Sequence, residues 1–144
     1  MSLVLLNEVF LSHANHDSGF VDSLAEVMRR HGVPVWYSQT NILGGQQWHD
    51  EIGAALRRCD WFLTVLSPQS VESKWVKGEV LDALNHNRYD NKIVPLMYQS
   101  CDYEEKLSWM LSSFQMVDFT HTLEEGYINL FRMWGLGYRE RNAN

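Results

Sequence analysis

The sequence has few of the features from which disulfide, metal and membrane-spanning structures are built. Cysteine occurs twice, at Cys59 and Cys101, without a CxxC pair, so no disulfide framework is indicated. The six histidines are scattered without the spacing of a zinc site. No apolar run approaches the roughly 20 residues of a membrane span, and residues 1–6 lack the basic region and the length of a signal peptide. We therefore expect a cytosolic protein that binds neither a membrane nor a metal.

Clusters of positive charge are also missing. The chain carries 12 Lys and Arg against 18 Asp and Glu, which gives a net charge of −6. A nucleic-acid surface requires clustered cations that neutralise phosphates. The pairs Arg29-Arg30 and Arg57-Arg58 lie near predicted helix ends, where cations interact favourably with the helix dipole. These observations exclude nucleic acid as the main partner.

Several common catalytic motifs are absent as well. Gly44-Gly45 is the only glycine pair, and it lacks both the Lys-Ser/Thr of a P-loop and GxGxxG spacing. No serine stands in the GxSxG motif of hydrolases. A phosphoacceptor receiver domain would need an aspartate at the end of the third strand, where this chain has Leu66 and Ser67. These three functions are therefore set aside.

What the chain does have is an alternation of apolar strands and amphipathic helices. Strands are predicted at residues 8–12, 33–37, 61–66, 92–97 and 115–119, and helices at 17–31, 48–59, 71–86, 102–111 and 123–134. Near-continuous apolar strands separated by helices are typical of a parallel sheet covered on both faces. We predict an α/β fold with a flavodoxin-like, five-stranded parallel sheet. The domain is expected over residues 8–136, with an N-terminal extension over 1–7 and a flexible tail over 137–144.

The third predicted strand leads directly into the most informative stretch of the chain. It is followed by SPQSVESKWVKGE, in which Trp75 and Glu79 are four residues apart and share one face of a helix. Ligands of open α/β sheets bind in the crevice beyond the carboxyl ends of the strands. An aromatic ring and a carboxylate there would suit a flat ligand that carries sugar hydroxyls.

Structural explanations exist for the same residues. Glu79 would also be explained as a solvated helix carboxylate that pairs with Lys74 or Lys77, and a solvent-facing carboxylate contributes little to stability. Trp75 would equally shield the end of the sheet, and Trp36 fits the core better than a ligand contact.

Five short motifs together resemble a Toll/interleukin-1 receptor (TIR) domain of the bacterial type. They are FLSH at residues 10–13 with Asp17 four residues on, VPVWY, the loop ending in LGG, VLSPQSVESKW, and WVKGE at residues 75–79. The match extends over residues 8–134. The resemblance implies a five-stranded flavodoxin-like sheet, an interaction loop after the second strand and, as in many members, cleavage of NAD at its nicotinamide glycosidic bond.

The resemblance also implies roles for individual residues. Trp75 and Glu79 reproduce the WxxxE arrangement of the family, in which the glutamate is catalytic, and NAD is a substrate, so no cofactor is expected. Many relatives carry aspartate at the position of Ser38, within the shell that binds ribose. The candidate substrate-binding residues are Phe10, Ser12, His13, Trp36, Ser38 and Trp75.

The polar loop over residues 38–47 is the candidate interaction loop. Ile42 and Leu43 form an apolar tip, followed by Gly44 and Gly45. In the family such loops help to build head-to-tail assemblies, and open contacts of that kind produce filaments. The expected partners are other TIR domains and a trigger or effector protein of unknown identity. The alternative is a solvent loop that closes over the ligand.

The chemistry of the reaction is compatible with a single carboxylate. Loss of nicotinamide leaves positive charge on the ribose, and this leaving group needs no acid. An ionised Glu79 would orient the sugar and stabilise the cation.

Two functions stay open. One is an NAD glycohydrolase that makes ADP-ribose or a cyclic isomer for signalling or antiphage defence, and the other is a non-catalytic adaptor. Glu79 favours the enzyme, because an adaptor has no need of a carboxylate there.

Overall fold

A five-stranded parallel sheet forms the centre of the computed structural model. The structure describes residues 6–38 and 45–140, and for residues 45–48 it describes the backbone only. The strands are β1 Val9–Ser12, β2 Val35–Trp36, β3 Trp61–Leu66, β4 Ile93–Met97 and β5 Val117–Asp118. Their order is β2-β1-β3-β4-β5, and all neighbours are parallel. This confirms the predicted fold class.

Within the described residues, four α-helices connect the strands and a fifth follows β5. They are α1 Ser18–Arg30, α2 Gly45–Arg58, α3 Lys74–Leu84, α4 Tyr103–Lys106 and α5 Leu123–Arg132. In the part of the chain that the structure describes, no helix is both long and apolar enough to cross a membrane.

Serine caps explain the two largest differences from the predicted helices. The helix predicted from residue 71 is divided into a 3-10 helix, Ser70–Glu72, and α3, because extended Ser73 accepts a hydrogen bond from the Val76 N–H at 3.2 Å. The helix predicted over residues 102–111 likewise ends early at α4. Extended Ser108 caps a separate 3-10 helix, Trp109–Ser113, by accepting from the Met110 N–H.

Alternate residues of β1 and β3 enter two different cores. On the α1/α5 face, Val9, Leu11, Leu63 and Val65 pack against α1 and α5. On the α2/α3 face, Phe10, Phe62 and Leu66 pack against Ile52, Ala55 and Leu56 of α2 and against Val76, Val80 and Ala83 of α3. Because the strands are parallel, their carboxyl ends meet at one edge of the sheet, beneath the start of α3.

The segment after α5 returns to the end of α1. The Arg139 N–H donates to Nε2 of His31 at 2.9 Å, and Nη1 of Arg30 donates to the Arg139 carbonyl at 2.8 Å. The ring of Tyr138 stacks on His31 with centroids 5.6 Å apart. Residues 137–140, the first part of the predicted tail, therefore contact α1.

Candidate active site

The carboxylate of Glu79 lies between α3 and the sheet. Glu79 is 7% exposed and shares the inward side of α3 with Val76, Val80 and Ala83. Oγ of Ser12, the last residue of β1, donates a hydrogen bond to Oε1 of Glu79 at 2.7 Å. Within the described residues Glu79 forms no ion pair. The interpretation as a solvated carboxylate paired with a lysine is therefore wrong, and so is the expectation that Glu79 faces solvent.

This environment changes the acidity of the carboxyl group. Burial raises the pKa of Glu79 from its ordinary value of 4.5 to about 7, because desolvation disfavours the charged form. The hydrogen bond from Ser12 acts in the opposite direction and is the smaller effect. Near neutral pH both the protonated and the ionised forms are therefore populated. A buried carboxylate with such a pKa is a common feature of catalytic sites.

Trp75 lies one helical turn before Glu79, at the start of α3. Its side chain is 45% exposed, and the ring of His49 meets it edge-on with centroids 4.7 Å apart. The structure therefore places an accessible indole and a buried carboxylate on adjacent turns of one helix, which is the arrangement that their spacing predicts.

Two further candidates form an aromatic layer below Ser12. Phe10 is fully buried, with its ring 5.1 Å from Trp36 and 5.4 Å from Phe62. Trp36 is half-buried. The side chain of Phe10 thus supports the site from the core, and Trp36 retains some accessible surface.

His13 follows Ser12 and lies beside Tyr37, with ring centroids 5.7 Å apart. The Tyr37 hydroxyl donates to Oδ1 of Asp22 at 2.8 Å, which fixes the tyrosine ring. Burial lowers the pKa of His13, against a backbone hydrogen bond and nearby carboxylates that raise it, so the neutral imidazole is favoured. Ser38 is half-buried after β2.

A buried network that was not predicted from the sequence holds the loop before α3. Oγ of Ser67 donates to Oδ2 of Asp17 at 2.5 Å and accepts from the Ser70 N–H at 3.1 Å, while the Ser67 N–H donates to Oγ of Ser70. All three side chains are buried. The sequence signal for this network was the pair Ser67 and Ser70 around Pro68-Gln69, together with Asp17 before the first helix. Serine and aspartate side chains in such positions often form hydrogen bonds with nearby backbone groups.

The remaining predictions concern the interaction loop, a metal site and the cysteines. Ile42, Leu43 and Gly44 of the interaction loop lie outside the described residues, and Gly45 begins α2. The described residues contain no group of three or more His, Cys, Asp or Glu that could hold a metal ion. Cys59 is buried, and desolvation raises the pKa of its thiol to about 12, so it stays protonated.

Comparison with known proteins gives a family match over most of the chain. A family model described as TIR domain matches residues 9–131. The chain is 29% identical over 100 residues to the NAD(+) hydrolase TcpC of Escherichia coli O6:H1. The aligned region covers 68% of this chain and 33% of TcpC. It is 23% identical over 127 residues to the 2' cyclic ADP-D-ribose synthase BtTIR of Bacteroides thetaiotaomicron, with 85% of this chain and 44% of BtTIR covered. The chain thus spans less than half the length of either relative.

A solved structure supports the same fold. The crystal structure of the TIR domain of the Toll-related receptor TRR-2 from Hydra magnipapillata superposes with a TM-score of 0.70 at 18% identity. The superposition covers 88% of this chain and 97% of the receptor domain.

Proposed function

The chain belongs to the TIR domain family, and from this premise we propose that it cleaves NAD between nicotinamide and ribose, with Glu79 as the catalytic carboxylate. The observation that carries the proposal is the buried Glu79 carboxylate, hydrogen-bonded by Ser12 at the carboxyl edge of the sheet and one turn from exposed Trp75. The two relatives named for NAD hydrolysis and cyclic ADP-ribose synthesis support the reaction class.

The reaction begins with heterolysis of the glycosidic bond. The electron pair of the bond from C1′ of the ribose goes to the nicotinamide nitrogen, so neutral nicotinamide leaves and positive charge develops on the ribose. Ionised Glu79 stabilises that charge in a water-poor site. The cationic nicotinamide ring of the bound substrate itself favours the ionised form of a nearby carboxyl group. Glu79 is therefore charged when the reaction needs it.

The ribose cation is then captured by a nucleophile. Water adds to C1′ and loses its proton to give ADP-ribose, and Glu79 is placed to accept that proton. A hydroxyl group of the same dinucleotide, adding in the same way, gives a cyclic isomer. The reaction needs no cofactor, because NAD is consumed as the substrate.

The remaining candidates have supporting roles. Ser12 fixes Oε1 of Glu79 and leaves Oε2 for the ribose hydroxyls. Trp75 offers its exposed face for stacking on nicotinamide or adenine. Neutral His13 and half-buried Trp36 and Ser38 border the substrate, and Phe10 acts only through the packing beneath Ser12.

A comparison of Glu79→Gln with the wild type tests the proposal. Glutamine keeps the size of the side chain and its acceptor for Ser12, and it removes the charge. After incubation of the purified proteins with NAD and separation of the products by chromatography, we expect nicotinamide release to fall by about 100-fold or more. Glu105→Gln, at an exposed glutamate of α4, is the matched control and should retain full activity. Unchanged turnover in a folded Glu79→Gln variant would contradict the enzyme and favour the adaptor.

Self-association with other TIR domains is the second part of the proposal. If a neighbouring domain completes the site, NAD cleavage per mole of protein rises with protein concentration. Strict proportionality between the rate of NAD cleavage and the protein concentration over a broad range would argue against such assembly.

The biological role is the third part of the proposal. The product of NAD cleavage acts as a nucleotide signal, for example in antiphage defence, under the control of a trigger or effector protein.

A further inference from the structure

The partner of Ser12 in the sheet is a buried threonine. Thr64 of β3 is in register with Ser12 of β1, and none of its surface is exposed. Within the described residues, Oγ1 of Thr64 has no hydrogen-bond partner. Buried hydroxyl groups are hydrogen-bonded in the large majority of cases, so an unsatisfied one calls for an explanation.

The alternation along β3 shows where this hydroxyl-bearing side chain points. Phe62 and Leu66, two residues before and two residues after Thr64, both enter the core on the α2/α3 face. Thr64 therefore faces α3 as well. Register partners on neighbouring parallel strands point to the same side and lie about 4.8 Å apart. The side chain of Thr64 is thus one strand spacing from that of Ser12, which already contacts Glu79 at 2.7 Å.

We propose that Thr64 is a positioning residue for Glu79: its hydroxyl turns to the carboxylate when Glu79 ionises and supplies a second O–H donor beside Ser12. Rotation about the Cα–Cβ bond moves Oγ1 of Thr64 between staggered positions, and the proposal requires one of them to lie within hydrogen-bonding distance of the carboxylate. The inference rests on the proposed function of Glu79. It gives the buried hydroxyl a partner, since an ionised carboxylate has two strongly accepting oxygens and Ser12 is bonded to only one of them.

The surroundings of Glu79 offer the carboxylate few other interactions. The neighbours on the inward side of α3, Val76, Val80 and Ala83, are apolar, and α2 contributes Ile52, Ala55 and Leu56 to the same core. From β1 and β3 the facing residues are Phe10, Ser12, Phe62, Thr64 and Leu66. Burial and the Ser12 hydrogen bond set the pKa of Glu79, and no charged group contributes. Removal of one hydroxyl should therefore have a measurable effect.

Thr64→Val is the informative variant, because valine has the shape of threonine without its hydroxyl. The first measurement is a carbon-13 NMR titration of the Glu79 carboxyl group in the absence of NAD. We expect Thr64→Val to raise the measured pKa of Glu79 by about one unit, since the ionised form loses a donor. Thr64→Ser keeps the hydroxyl and should restore the wild-type pKa.

The second measurement is kcat/KM for NAD as a function of pH. We expect Thr64→Val to lower kcat/KM about fivefold at pH 7 and about tenfold below about pH 6, as a rise of one unit from a pKa of about 7 requires, and to move the acidic limb of the profile to higher pH. Thr64→Ser should remain within about twofold of the wild type. The melting temperature of Thr64→Val below pH 5 should equal or exceed that of the wild type, because an unsatisfied hydroxyl has been removed. A merely structural threonine would give a lower melting temperature and an unchanged pH profile.

Val65→Ala is the packing control. Val65 is adjacent to Thr64 but enters the core on the α1/α5 face, so the variant should lose stability and leave the pKa of Glu79 unchanged. An unchanged pKa of Glu79 in Thr64→Val, or a failure of Thr64→Ser to restore it, would overturn the inference. If the wild type does not cleave NAD, the proposed function fails, and the NMR titration still decides the role of Thr64. If Thr64→Val does not fold, Thr64→Ala is used in its place for the same two measurements.

Discussion

The α1/α5 face and the α2/α3 face of the sheet differ in what they place near the carboxyl ends of β1 and β3. On the α1/α5 face, Leu11 and Val65 continue the apolar core to that edge. On the α2/α3 face, Ser12 and Thr64 lie at the corresponding level, opposite the Glu79 carboxyl group. At this level one face is apolar, whereas the other holds polar groups that are costly to bury. Departures from the simple burial pattern are expected at functional sites.

The largest expected effect that tests this comparison is a pH dependence of stability that originates on the α2/α3 face. The folded protein holds Glu79 at a pKa of about 7, above its ordinary value of 4.5, so the fold favours the protonated form. The corresponding stability is fully present below pH 4.5 and is lost as the pH rises through 7. The free energy of unfolding of the wild type should therefore fall, relative to Glu79→Gln, by up to about 3 kcal/mol between pH 4.5 and pH 8.

Urea unfolding of both proteins across this pH range measures the effect. The Glu79→Gln variant is the reference, because it keeps every other titrating group. Parallel stability curves for the two proteins would show that the fold does not favour the protonated form of Glu79.

The second prediction concerns the α1/α5 face, where close packing should be the dominant constraint. A Cβ atom at Gly126 of α5 would lie 2.2 Å from Cδ1 of Phe119. Although alanine normally stabilises a helix, Gly126→Ala should therefore cost about 1–3 kcal/mol through overpacking. Thermal unfolding measures the loss, and NAD cleavage by the remaining folded protein should be unchanged.

Gly78→Ala on α3 is the matched control for this variant. A Cβ atom at Gly78 would meet nothing within 4 Å, so the variant should gain about 0.5–1 kcal/mol of stability from helix propensity. Equal effects of the two substitutions would remove the proposed difference in packing between α5 and the exposed side of α3.

The third prediction is that activity and stability respond to pH in opposite directions. Because kcat/KM reports the ionisation of the free enzyme, it should rise by about tenfold for each pH unit below the pKa of Glu79 and level off above about pH 7. Steady-state rates with NAD over pH 5 to 8, in buffers of constant ionic strength, provide the measurement. A flat profile would mean that another group limits the reaction.

The smallest expected effect is on product type. Trp75→Ala should retain nicotinamide release within a few-fold of the wild type and should shift any cyclic product towards linear ADP-ribose. An aromatic ring that folds adenosine back raises the effective concentration of the internal nucleophile, and its removal favours water. Chromatography of the products measures the ratio. If the wild type makes only ADP-ribose, Trp75 has no such role and instead forms part of the platform that binds the substrate.

The sequence was sufficient where a single local pattern determines the structure. The apolar run WFLTVL predicts β3 at the residues where the structure has it. The spacing of Trp75 and Glu79 likewise predicts two adjacent turns of one helix. Helix ends were less predictable, because Ser73 and Ser108 can either continue a helix or cap the next one.

The environment of Glu79 was not predictable from local sequence. The lysines on either side of Trp75 and Val76 favour a solvated helix face in the sequence, and only the packing of α3 over β1 and β3 turns Glu79 inwards. The hydrogen bond to Ser12 joins residues that are 67 positions apart, and the contact between Asp17 and Ser67 spans 50. Both contacts result from the strand order, which brings β1 beside β3.

The position of residues 137–140 also determines where the polypeptide leaves the domain. Helices that follow parallel strands run back towards the amino ends of those strands, so α1 and α5 both finish at the edge of the sheet opposite Glu79. The hydrogen bond from Arg139 to His31 holds the chain at that opposite edge. An affinity tag or a fluorescent protein attached after residue 140 is therefore tethered at the edge of the sheet opposite Glu79.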